Sequence, residues 1–116
     1  MKVRIAQDWR TLKIQGVSNI QKLIGVYEVT IQNLTRSIEI KVFERSNGFV
    51  AFSSLAIKDK DGIISGTCGL GDSEMEALQD CLMSLMGDLA SLPKISNELV
   101  IYRDEQFVID VTKGVP

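Results

Sequence analysis

At 116 residues the chain has room for one domain with a full core and is too short for two. A formal net charge of -2, with 45% hydrophobic and 24% charged residues, offers no basic surface to a nucleic acid polymer or an anionic membrane. Histidine is absent, which removes the commonest metal ligand and the usual general base, and two cysteines are too few for a disulfide framework.

No apolar run approaches the roughly 20 residues of a membrane span. Charges run through the first nine residues, where a signal peptide would have its apolar stretch, so the expected location is the cytoplasm. Val3 and Ile5, then Leu12 and Ile14, alternate loosely and predict one or two short strands around Asp8 and Trp9. Ser18 and Gln21 form a capping box, Ile20, Leu23 and Ile24 follow at helical spacing, and Gly25 is a C-terminal stop. The spacing predicts a helix of one or two turns, with a continuous strand as the alternative.

From Val26 the period changes. Tyr27, Val29 and Ile31 alternate with Glu28, Thr30 and Gln32, as in a half-buried strand. Asn33 to Arg36 make a turn, which is also the better reading of the glycosylation-like triplet Asn33-Leu-Thr35. Ile38, Ile40 and Val42 then share one face, with Glu39, Lys41 and Arg45 on the other. Asn47-Gly48 suits a type I′ hairpin turn with both residues at positive φ. Phe49 to Ile57 is apolar on both faces and therefore central in the sheet. Residues 58–62 form a second turn, and Ile63-Ile64 begin a strand that feeds a glycine-rich loop, Gly66 to Gly71.

Leu78, Leu82, Leu85, Leu89 and Leu92 recur at steps of four and three, so residues 72–92 form one long amphipathic helix. Ser73 with Glu76 makes its capping box, and Pro93 stops it. Cys81 lies near the apolar stripe and belongs in the core. Beyond Pro93, Leu99 to Tyr102 and Phe107 to Val111, joined by residues 103–106, predict a C-terminal hairpin. Such a hairpin must join the main sheet or pair with another chain. The expected fold is a single α+β domain over residues 1–116. An antiparallel sheet is packed by the long helix, with a short N-terminal helix and a C-terminal β-hairpin.

Three glycines ahead of a helix N-terminus can present N–H groups to a phosphate, but Asp72, Glu74 and Glu76 crowd that end and there is no lysine there. The simpler reading is a tight strand-to-helix connection. The acidic residues of 58–62 do not fit a calcium loop, and no metal or cofactor is expected. Cys68, near a helix start, is the one nucleophile candidate, and the acidic neighbours oppose a lowered pKa. Met75, Met83 and Met86 widen the helix's apolar arc into a candidate oligomer or partner interface. Arg36, Lys41, Arg45 and Arg103, with aromatics such as Phe43 and Phe107, are the candidate ligand-binding residues, since arginine suits planar anions.

The element order α-β-β-β-α resembles the double-stranded-RNA-binding domain. That family places lysines at the second helix start, whereas the matching places here hold Asp72, Ser73, Glu74 and Glu76, the wrong charge for RNA. Gly71-Asp-Ser-Glu-Met-Glu-Ala-Leu78, preceded by Gly48-Phe-Val-Ala51 on a strand, resembles the HicB-like antitoxin family over residues 37–92. A short hairpin stands where such an antitoxin would carry its DNA-binding extension. The resemblance implies a fold and a habit of binding partners, and it carries over no catalytic residue.

These readings make the chain a non-catalytic binding module that forms a homodimer or higher oligomer. It would sequester or neutralise a partner, as proteins of toxin–antitoxin and phage–host conflict systems do. The alternative is sequestration of a small anionic, nucleotide-derived signal at a subunit interface. A third reading is a small enzyme using Cys68 or paired carboxylates.

Overall fold

The computed structural model describes residues 8–96 and 98–103. Four strands run as an antiparallel meander: β1 (Lys22–Val29), β2 (Ile38–Arg45), β3 (Gly48–Lys58) and β4 (Ile64–Gly71). The helix α1 (Glu74–Ala90) follows, and β5 (Val100–Tyr102) returns to the sheet. β3 is the central strand, as its two apolar faces predict. β4 covers one of its edges, and β2 pairs along the other from Gly48 to Ser53. Leu55 to Ile57 then pair with β5. The change of partner falls at Ser53 and Ser54. Ser54 Oγ accepts from Glu39 N at 3.0 Å, Ser54 O accepts from Arg103 N at 2.6 Å, and Ser53 Oγ accepts from Leu55 N at 2.9 Å. The serine side chains thus take up backbone groups that the irregular register there would strand.

The helix forms where the leucine spacing places it. Ser73 Oγ accepts from Glu76 N at 3.1 Å, and Glu76 Oε1 reaches back to Asp72 N at 2.9 Å. Glu74 and Glu76 in the first turn complement the positive end of the helix dipole. Its buried line is Ala77, Leu78, Cys81, Leu85 and Leu89. Below it lie two packed clusters. One centres on Ile38, Leu55 and Leu85, the other on Ile40, Val42 and Ala51. Burying each of the larger side chains is worth about 1.5–3 kcal/mol.

Residues 66–71 are not a loop, as the glycine run predicts, but part of β4, and the glycines serve a contact. Gly69 and Gly71 face α1 from beneath. A Cβ at Gly69 would lie 2.5 Å from Ala77 O and 2.7 Å from Cys81 Cα, and nearer still to Cys81 N. At Gly71 it would lie 2.6 Å from Ala77 N. The helix backbone rests directly on the strand backbone there, a distance only glycine permits.

Three further expectations are corrected. Residues 18–24 form no helix, and the strand alternative holds from Lys22 onward as β1, because Ile24, Val26 and Val29 are β-branched and β2 offers an alternating partner strand. Ser18 and Gln21 therefore cap nothing. Near Asp8 the chain makes a 3-10 turn, Trp9–Thr11, instead of a strand; the Asp8 carboxylate accepts from Arg10 N at 3.0 Å. The β2–β3 hairpin turns one residue early, on Ser46 and Asn47, with only Gly48 at positive φ (146°). Val3 and Ile5, like the second arm of the C-terminal hairpin, Phe107 to Val111, lie outside the described residues. The first arm joins the main sheet as β5.

Gly69→Ala should lower the stability to urea by about 3 kcal/mol, the upper range for overpacking. Gly66→Ala should shift it by less than about 0.5 kcal/mol, because a Cβ there meets only Arg103 Nη1 at 4.0 Å. Equal effects would show that the helix can back away from β4.

Candidate functional site

Two surfaces remain once the helix has covered its side of the sheet. The first is the opposite, outer face. Register places Leu23 of β1, Phe43 of β2, Val50 of β3 and Leu70 of β4 in one row across it. The next row holds Val26, Lys41, Phe52 and Cys68. A one-sided antiparallel sheet normally turns polar residues outward. Here Val26 is 51% exposed and Leu70 65% exposed. Phe43 and Phe52 meet edge to face with ring centroids 5.9 Å apart.

Arg45 belongs to this face. Its guanidinium lies 5.8 Å from the Phe52 ring centroid, and its Nε donates to Gln21 Oε1 at 2.8 Å. Arg45 and Phe52 stand two rows apart. The side chain therefore runs back along the sheet past the Phe43–Val50 row, in which Val50 is buried between Phe43 and Leu70.

The structure divides the candidate ligand residues. Lys41, Phe43 and Arg45 share the outer face, and Arg103, with its Nη1 beside Gly66, joins them there. Arg36 does not: its guanidinium sits 4.7 Å over the Tyr102 ring, which pairs with Leu55 on the helix side. Phe107 lies outside the described residues. Phe52 and Leu70 were not singled out from the sequence, although the apolar run through residues 49–57 carried the signal for Phe52. A groove of about 480 Å³ at the hairpin end is lined by Arg45, Asp72 and Glu76 among others. An anion entering it would meet two carboxylates.

The second surface is the outer arc of α1. Met75, Met83 and Met86 are 65%, 66% and 48% exposed, on the side turned away from the sheet. The helix carries Glu74, Glu76, Asp80 and Asp88 and no lysine or arginine. All four accept hydrogen bonds, Glu76 from Asp72 N within the capping box. Asp80 Oδ2 accepts from Leu70 N at 2.9 Å on the open edge of β4, and Asp88 Oδ2 accepts from Thr67 Oγ1 at 3.0 Å. Glu74 accepts a hydrogen bond from Tyr27 Oη, which holds the phenol above its ordinary pKa of 10.0.

Cys68 is exposed, and Cys81 is buried with its Sγ 3.8 Å from Thr67 O. Burial pushes the Cys81 thiol up to about 11. No group of three or more His, Cys, Asp or Glu side chains among the described residues is placed to hold a metal ion. No described helix is long and apolar enough to cross a membrane. No family model, curated protein or solved structure matches the chain.

A thiol reagent should reach Cys68 well ahead of Cys81, which should react only on unfolding; equal labelling rates would mean that α1 opens from β4. The raised Cys81 pKa also fixes a sign. Its contribution to stability is present below pH 9.0 and is lost as the pH rises from 9.0 through about 11, since only the unfolded chain releases the proton readily. Cys81→Ala should flatten that stretch of the stability profile.

Proposed function

We propose that the chain is a non-catalytic binding module that sequesters or neutralises a protein partner, docked on the outer arc of α1. It acts in the manner of toxin–antitoxin and phage–host conflict proteins. The carrying observation is the exposure of Met75, Met83 and Met86 on a helix whose every charge is negative. Methionine adapts to irregular apolar surface, and the surrounding carboxylates select a partner that brings lysine or arginine beside its apolar anchors. The same charge repels nucleic acid. The absence of histidine and the elevated thiol of Cys81 favour binding over chemistry.

A second reading has its own observation. Lys41, Phe43, Arg45 and Arg103 on one sheet face suit a small anionic, nucleotide-derived molecule held between subunits.

Affinity capture from extracts of the encoding organism, followed by native mass spectrometry, separates the two. The protein-partner reading expects a captured polypeptide whose binding weakens with ionic strength. The Met83→Lys/Met86→Lys variant should lower its affinity at least about tenfold. A retained nucleotide-sized mass, or a polypeptide indifferent to that variant, would move the function to the sheet face.

A further inference from the structure

The outer sheet face is both apolar and ordered by charge, and that order is independent of the helix surface. Along β2 its outward residues run Glu39, Lys41, Phe43, Arg45. Acid stands at one end and base at the other. Glu28 of β1 lies directly opposite Glu39, a like-charge pair that costs a single sheet stability. The helix α1 packs on the opposite face, and Val26 and Leu70 are exposed on this one.

We propose that a second copy of this chain covers it, outer face against outer face, as an aligned sandwich. The dyad lies between the two sheets, runs across the strands and passes level with Val42 of β2. Reversing the strand direction about that axis sets the backbone of Glu39 over that of the partner's Arg45, whose guanidinium swings off its own Phe52 ring and off Gln21 to meet the carboxylate, and it sets Lys41 over the partner's Phe43. The acidic end of each sheet, with its Glu28–Glu39 pair, meets the basic end of the other. The row containing Leu70 packs on the row containing the partner's Val26. A dyad running along the strands over β2 would instead set Glu39 over the partner's Glu39 and Arg45 over the partner's Arg45, and one between β2 and β3 would set them over the partner's uncharged Ser54 and Gly48. The charge order therefore selects the arrangement whose dyad runs across the strands. The interface is isologous and closes at two copies.

Sedimentation equilibrium of the full chain and of charge-reversal variants tests this, with far-UV circular dichroism reporting the fold of each. The wild type should be a dimer. Glu39→Arg and Arg45→Glu should each weaken it at least about tenfold, and the double reversal in one chain should restore the affinity to within about threefold. A wild-type monomer at every soluble concentration overturns the proposal. So do single variants that dimerise normally, or a folded double variant that stays monomeric.

Should a single variant unfold, the wild type decides alone. Cys68 and the partner's Cys68 would stand about 12 Å apart, from the spacing of packed sheets and a two-residue offset. A bismaleimide of that span should give a covalent dimer that Cys68→Ser abolishes. Failure of the wild type to cross-link overturns the arrangement. Met83→Lys/Met86→Lys should leave the dimer intact, so loss of the helix-bound partner and loss of the dimer are separable results.

Discussion

The close approach of α1 to β4 sets the rest of the molecule. A helix normally stands off a sheet by the height of the side chains between them. Here Gly69 and Gly71 remove those side chains, and the backbone near Ala77 and Cys81 comes into contact with the strand. The small residues Ala77 and Cys81 can then be fully buried, and Leu85 and Leu89 reach the deeper cluster with Leu55 and Ile57. The contact also fixes the rotation of the helix about its axis, since turning it would drive a larger side chain onto the glycines. Asp80 and Asp88 are held beside β4 as a result, where one satisfies the outward N–H of Leu70 and the other the hydroxyl of Thr67. The carboxylate at Leu70 N blunts part of an edge strand that has neither a charge nor a proline of its own.

The same rotation decides what is left outside. With Ala77, Cys81 and Leu85 turned inward, Met75, Met83 and Met86 must turn outward. Burial cannot explain them, because the leucines and the small residues already fill the space above the sheet. On the far side, the central position of β3 places Val50 and Phe52 on the face opposite α1. Arg45 folds back over part of that surface, its guanidinium meeting Phe52.

Much of this was legible wherever periodicity was strong. The leucine repeat gave α1 to within two residues at each end, and the alternation in residues 38–42 gave the buried side of β2. The glycines of residues 66–71 misled, because a glycine required for close packing and one required for a turn look alike in a sequence. Only the helix lying against them distinguishes the cases. Ser18 to Ile24 misled differently: a local capping pattern was overridden by pairing with a strand some twenty residues on. The sharing of one face by Lys41, Phe43 and Arg45 follows from period two alone. Placing Arg103 with them and Arg36 apart depended on how β5 docks on β3, a long-range pairing that no local signal carries.

The two remaining surfaces differ in kind, and the difference bears on what each can bind. The helix arc has a single sign of charge, so it cannot complement a copy of itself, and any partner there must supply the positive charge. The outer sheet face carries both signs in sequence along β2, so it can complement itself when the strand direction is reversed. A surface of one sign favours a foreign partner, while a surface of ordered mixed sign favours self-association. Because the surfaces point away from each other across the sheet, filling one leaves the other open. A molecule built this way can present two acidic, methionine-lined helices on opposite sides of one sandwich, and so engage two partners without rearranging its core.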